Sequence, residues 1–316
     1  MSNRSRRRAV ERSVEVSAVA SLLPVLALIP VWLLSLAVFW LPIRLWWNVS
    51  FWLFALIHLA AVVVMFWRPL QTVLVMRMLG AQRATTDQAA VLEPAWRSVA
   101  QQLGIRPRRY ALAVLPSDEL NAFACGGSLL VVTSYAIETL PRDEMTGVLA
   151  HELAHHLGFH TVSLSLRQWL SLPIFILARI GFFLDNVATA ATRSFVSHSA
   201  ALSAVGRLIA GVLHAFAWVF LAGLLVSNRI ANKVGRRSEY EADRRAVAMG
   251  FGRELAVALR RVAAAERVDA DAGGPVHQPG PLQLDSLGVT HPTARSRVVR
   301  IEALVRREAE RQRLSR

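Results

Sequence analysis

The chain has one cysteine, Cys125, so no intramolecular disulfide can form and the small disulfide-framed folds are excluded. Charge is also scarce. Asp, Glu, Lys and Arg make up 18% of the 316 residues, against ~25% in an ordinary soluble chain. Hydrophobic residues reach 54%, and the mean hydropathy is +0.38. That balance rules out both intrinsic disorder and a fully soluble enzyme. No internal repeat occurs, which removes solenoid architectures. Lysine is nearly missing: Lys233 is the only one among 36 basic residues, which outweigh 22 acidic ones to leave a net charge of +14. Aromatic residues do not interleave with the basic runs, so nothing indicates stacking on nucleic acid. The arginine excess is read instead as belonging to cytoplasmic loops and anionic lipid headgroups.

Long apolar runs are what the sequence does have. Residues 1–16 carry Arg4, Arg6, Arg7, Arg8 and Arg12 and precede an uncharged stretch, 17–43. A span needs roughly 20 apolar residues, and this stretch exceeds the h-region of a cleaved leader. A second run, 45–67, follows after Arg44 alone, with Trp40, Trp46, Trp47 and Trp52 near the turn, so 17–67 is expected to be a membrane hairpin with an aromatic belt. Residues 208–228 are uncharged and form a third expected span. The run 168–184 is interrupted by Pro173 and Arg179. His58 and His214 fall inside apolar runs without a visible acidic partner, and each is read as an imidazole packed between helices.

The segments between these runs are soluble in style. Residues 84–103 read as an amphipathic helix, with Leu92, Trp96, Val99 and Leu103 at helical spacing and Gly104 as a stop. Residues 110–115 and 128–135 read as strands, the second β-branched and preceded by Gly126-Gly127. Pro141, Asp143 and Glu144 mark a helix start. Further on, a helix is expected over 238–268, a Gly/Pro-rich loop over 270–288 and an Arg-rich helix from Thr293. The domain reading is therefore a basic amino terminus (1–16), a hairpin (17–67), a first catalytic part (68–167), a second membrane pair (168–228) and a second catalytic part (229–316).

The chemistry is concentrated at His151-Glu152-Leu153-Ala154-His155, an HExxH pattern on the predicted helix. Residues four apart differ by only ~40° around a helix, so both imidazoles can face one metal ion, with Glu152 beside it as a base. A catalytic zinc takes three protein ligands and leaves one position for water. The run Ser238-Glu239-Tyr240-Glu241-Ala242-Asp243 offers the third. Glu239 and Asp243 share a helix face, which lets one carboxylate bind metal while the other accepts the free N–H of a ligating histidine. His156 and His160 lie beyond the pair and are read as packing or surface residues.

HELAHH followed by EYEAD on a later helix, with one apolar pair between them and another before, resembles the HtpX-type membrane zinc metalloproteases, relatives of the CAAX prenyl endopeptidases. Leu120-Asn121-Ala122-Phe123-Ala124 resembles the family's NAFA turn, and residues 130–135 its active-site edge strand. Thr290-His291-Pro292 with Arg297 resembles its late THP…R motif. The resemblance implies a multi-pass α-helical membrane protein of about four transmembrane helices with a mainly α, α+β zincin (gluzincin) catalytic domain. It implies one Zn2+ per chain on His151, His155 and Glu239, with Asp243 in support. Glu152 is then the base, and His291 and Arg297 are candidate oxyanion donors. Asn121, Leu130, Val131 and Val132 are the expected substrate-binding residues, through strand addition that reads backbone more than sequence. The expected function is a membrane-bound zinc endopeptidase that hydrolyses membrane or misfolded proteins in quality control, in a bacterial plasma membrane.

Two rivals stand beside it. A site-2-type intramembrane protease buries HExxH in a membrane helix and uses an LDG segment, which this sequence lacks. A non-catalytic zinc sensor or scaffold would have no use for Glu152. Topology follows from the metal site: His155 and Glu239 must lie on one side, so the chain between them crosses an even number of times and 168–184 must span despite Arg179. Arginine bias places both termini and the site in the cytoplasm and 185–205 outside.

Overall fold

The computed structural model describes residues 3–195, 200–271 and 292–314. Most of them are helical. In chain order they form α1 (Asn3–Trp46), α2 (Phe51–Val64), α3 (Arg68–Leu79), α4 (Thr86–Leu103), a short 3-10 turn (Pro107–Arg109), β1 (Ala111–Leu115), β2 (Ala122–Cys125), β3 (Leu129–Thr133), α5 (Ser134–Thr139), α6 (Arg142–Leu157), α7 (His160–Phe195), α8 (Ala200–Met249), α9 (Gly252–Asp271) and α10 (Ala294–Leu314). The loop expected at 270–288 lies outside the described residues from 272 onward. The chain divides into two compact units, one of Met1–Leu22, Met65–Ser165 and Ala231–Arg316, the other of Leu23–Val64 and Leu166–Ile230.

The first unit is built on a three-stranded sheet of order β1-β3-β2. β3 is central, parallel to β1 and antiparallel to β2. This corrects two expectations. The 130–135 segment is not an edge strand: residues 130–133 belong to β3, both of whose hydrogen-bonding sides are used and all five of whose residues are buried. The NAFA segment is not merely a turn, because Ala122–Ala124 lie on the true edge strand, β2.

α4 forms where its signals predict. Thr85 and Gln88 make a reciprocal capping box, and Gly104 closes the helix at φ 63°. Its Leu92, Trp96, Val99 and Leu103 stripe joins a core with Leu130 and Val132 of β3 and Leu149 and Leu153 of α6. The helix expected over 238–268 is in fact two. α8 runs on to Met249, and the chain turns at Gly250, φ 96°, before α9. That turn folds α9 back on α6, where Gly147 allows close approach: a Cβ there would sit 2.6 Å from the Glu254 carbonyl carbon. Arg261 of α9 fastens the same pair by donating twice to Glu144, at 2.8 and 2.9 Å.

Three helical stretches are long and apolar enough to cross a membrane: Ala20–Trp46, His160–Ala191 and Ala204–Met249. The run 45–67 gives only the 14-residue α2, about 21 Å at 1.5 Å per residue; a turn at Met65–Trp67 separates it from α3. Small residues let these helices touch, since a Cβ on Gly181 would meet the Ala217 Cβ at 2.8 Å. The Trp32 indole donates to His58 Nδ1 at 3.3 Å. His214 does have an acidic partner, contrary to the sequence reading: Asp185 Oδ2 lies 2.9 Å from its Nδ1, and the Trp218 indole donates to its Nε2 at 2.8 Å.

The α6–α9 contact predicts that Gly147→Ala lowers stability by about 1–3 kcal/mol through overpacking, whereas Gly211→Ala, with nothing within 4 Å of the added Cβ, leaves it near the parent. Thermal unfolding of the two purified variants in detergent checks this; equal midpoints would show that the helices can move apart freely.

Candidate metal centre

α6 is buried almost all round, with Leu149, Ala150, Leu153 and Ala154 fully inaccessible. Its two motif histidines are therefore held by packing on both sides. His151 Nε2 and His155 Nε2 lie 3.1 Å apart. Glu239, one helix away on α8, brings Oε2 to 3.4 Å from His151 Nε2 and Oε1 to 3.2 Å from His155 Nε2. Zinc bound at 2.0–2.1 Å in tetrahedral geometry needs donor–donor edges of about 3.3–3.4 Å. The two histidine nitrogens, and the Glu239 carboxylate through a different oxygen to each, are spaced near such edges. Among the described residues, His151, His155 and Glu239 are the one group of His, Cys, Asp and Glu side chains whose ligand atoms all lie within 4.8 Å of one another.

Each histidine has a partner on its other nitrogen. Asp243 Oδ1 is 3.1 Å from His151 Nδ1, and the Ser238 hydroxyl is 3.4 Å from His155 Nδ1. Such partners fix the tautomer and turn Nε2 toward the ion. Asp243 is in turn gripped by Arg297 of α10, which donates to Oδ1 at 2.7 Å and to Oδ2 at 3.0 Å. Burial opposes ionisation of Asp243, but His151 and Arg297 hold its carboxyl below the usual carboxylate range. Burial and Arg297 press His151 down, yet its hydrogen bonds to Asp243 and Glu239 push it up to about 9. The contacts with Asp243 and Glu239 favour a positive charge on the His151 imidazole, whether a proton or a metal ion supplies it.

Arg297 was expected near a developing oxyanion. Instead its guanidinium is bound to Asp243, lies 3.0 Å from Glu239 Oε2 and also 3.0 Å from His151 Nε2. These contacts tie α10 to both carboxylates and to His151. His291 lies outside the described residues. Glu241 points away from the cluster and pairs with Arg244 at 2.8 Å.

Glu152 is buried beside the pair, and its Oε2 accepts the Ala124 N–H of β2 at 2.8 Å. The edge strand therefore reaches the base directly. Just before β2 the backbone of Asn121 faces β3, giving its N–H to the Thr133 hydroxyl and receiving the Thr133 N–H at its carbonyl. By antiparallel alternation Phe123 also faces β3, while Ala122 and Ala124 turn their N–H and C=O groups outward. Leu130, Val131 and Val132 cannot add a substrate strand, since their backbone lies between β1 and β2. Asn121 has only its side chain left to offer.

Sequence reading missed Ser238, the Ala124 N–H and Arg245, which donates to the Ala154 carbonyl of α6 at 3.1 Å. It left His156 as packing, and packing is its place: Nε2 faces the Leu129 carbonyl and Nδ1 the Thr161 hydroxyl, each at 3.1 Å. Burial drives its pKa down to about 4.

Comparison with known proteins agrees with the geometry. Residues 86–305 match peptidase family M48. The chain is 28% identical over 242 residues to the "Protease HtpX homolog" of Acidiphilium cryptum (strain JF-5), covering 72% of this chain and 78% of the relative. It is 29% identical over 213 residues to the "Protease HtpX" of Pseudomonas putida (strain GB-1), covering 62% of this chain and 65% of that one. No solved structure matches.

Glu239→Gln should lose most of its bound metal, while Glu241→Gln keeps the parent's content. Asp243→Asn should weaken metal affinity by about 10–100-fold. Metal analysis and chelator competition on the purified variants check all three; equal loss at positions 239 and 241 would displace the assigned ligand.

Proposed function

The chain belongs to peptidase family M48 and is an HtpX-like membrane-associated metalloprotease, and from that membership we propose that it is a zinc endopeptidase cleaving membrane or misfolded proteins, with His151, His155 and Glu239 as ligands and Glu152 as base. The observation that carries this reading is the coincidence of two imidazoles and a carboxylate, whose ligand atoms lie within 4.8 Å of one another, with a second buried carboxylate hydrogen-bonded to an edge strand. One zinc ion per chain would polarise the scissile carbonyl and lower the pKa of an attacking water toward ~7.

The protein's own groups do the rest. Glu152 accepts the proton of the attacking water and passes it to the leaving amine. Asp243 holds the Nδ1–H of His151, and Ser238 contacts Nδ1 of His155. Arg297 balances the charge of Asp243 and Glu239, which would otherwise lie buried side by side. An extended substrate adds to the free side of β2, using the outward groups of Ala122 and Ala124. In doing so it would compete with Glu152 for the Ala124 N–H and release the carboxylate for catalysis. Backbone pairing reads little sequence, which suits the clearance of many damaged proteins. The catalytic fold is a zincin of the gluzincin type. α6 is not among the helices apolar enough to span, which argues against the site-2-type alternative.

For topology we adopt four spans, with a cytoplasmic site in a bacterial plasma membrane. Both α7 and α8 cross in this arrangement, which keeps His155 and Glu239 on one side of the bilayer. Arg179, on α7, lies 5.7 Å from the Phe175 ring centroid, an arrangement that eases its passage through the apolar layer.

Glu152→Gln is expected to retain metal and membrane insertion but to lose casein hydrolysis by about 10²–10⁴-fold, because an amide cannot take the proton. Near-parental hydrolysis by the purified variant would end the assignment. Topology is checked with single cysteines at Ala191 and Glu310, using an impermeant maleimide on spheroplasts and the parent chain as blank. Position 191 should label and 310 should not; the opposite result reverses the orientation.

A further inference from the structure

α3 is apolar on two opposite faces. Val75, Met76 and Leu79 pack on the sheet with Cys125, Leu129 and Val131. Gln71, buried on the same side, accepts the Gly127 N–H at 3.1 Å. The β2–β3 turn fits tightly there: Gly126 adopts φ 59°, and a Cβ on it would come 2.7 Å from Gln71 Oε1. The opposite face repeats at helical spacing as Pro69, Leu70, Val73, Leu74, Arg77 and Met78, with Val73 54% and Met78 44% exposed. An apolar face of this kind has no reason to meet water.

Its surroundings indicate what covers it. Trp67, 65% exposed, stands at the amino end, a few residues after α2. α3 has no acidic residue and ends in Arg68 and Arg77. Arg68 donates to the Arg108 carbonyl at 2.5 Å, which brings the exposed Arg106, Arg108 and Arg109 beside the helix. Among the described residues, none of these five arginines is paired with a carboxylate. Exposed apolar side chains bordered by unpaired guanidinium groups and an interfacial tryptophan match a leaflet of anionic lipid, where aliphatic groups enter the acyl boundary and arginines meet phosphates.

We propose that α3 and the arginines beside it form a docking face that lies in the headgroup layer of an anionic leaflet and, through Gln71 and the β2–β3 turn, holds the edge strand at the membrane surface. The inference rests on the membrane-associated reading above and not on the peptidase chemistry. The site would then meet chain segments just emerging from the bilayer before it meets freely dissolved ones.

The test uses the full-length chain in liposomes of phosphatidylcholine with or without phosphatidylglycerol. Val73→Cys carries a fluorophore, and Val299→Cys on α10, 62% exposed, is the aqueous control. Cys125 is buried, with its thiol pushed up to about 11 by that burial, so maleimide labels the introduced cysteine. Lipid-borne nitroxide at headgroup depth should quench position 73 several-fold more than 299, and iodide should do the reverse. Phosphatidylglycerol should enlarge the contrast, and Arg77→Gln with Arg109→Gln should abolish that gain. Equal iodide quenching at both positions would overturn the proposal. So would protection of position 73 from both quenchers together with a doubled protomer mass, which would identify a second copy as the occupant. A contrast unchanged by phosphatidylglycerol would overturn the role of the arginines. A labelled variant whose thermal unfolding departs from the parent is replaced by Met78→Cys, on the same face, for which the same outcomes apply. Since no cleavage is measured, failure here is separable from failure of the protease assignment.

Discussion

Everything around the metal centre depends on balancing two carboxylates that are almost out of reach of water. Asp243 is fully buried and Glu239 nearly so, and an isolated buried carboxylate costs several kcal/mol. Arg297 supplies one balancing charge through a bidentate contact. His151 supplies the other by holding a proton or a metal ion. The final helix is therefore part of the site even though it donates no ligand. Removing Arg297 leaves two carboxylates facing each other across His151, so damage there combines lost stability with lost metal affinity.

The sequence makes some of this plain and hides the rest for physical reasons. The pairing of His151 with His155 follows from helix periodicity alone, and the capping box at Thr85 and Gln88 is a local signal that the fold keeps. Glu239 could be preferred over Glu241 only through resemblance, because both sit on an acidic helix run and tertiary packing decides which turns inward. Ser238 and Arg245 act across helices distant in sequence, so no local pattern marks them. The Ala124 contact uses a backbone N–H, which every residue but proline has.

The sheet gives the clearest contrast between pattern and outcome. Leu129–Thr133 is an uninterrupted apolar run, and such runs suit strands buried on both faces. Its central place is therefore consistent with its composition, and the expectation of an edge was carried by resemblance alone. β2, Ala122–Cys125, is short and lacks β-branched residues, so its propensity for strand is weak. It is a strand because β3 offers it partners. The break between α8 and α9 had a visible cause in Gly250, but a helical pattern on both sides concealed it.

The chain of hydrogen bonds from Trp218 through His214 to Asp185 carries a constraint on proton inventory. An indole N–H is only a donor, so the Nε2 it meets has to be a bare lone pair. The ring then keeps its single proton on Nδ1, shared with the Asp185 carboxylate. At this level α7 and α8 are joined by the His214–Asp185 contact, while the Trp218 contact lies within α8 and fixes the orientation of the ring.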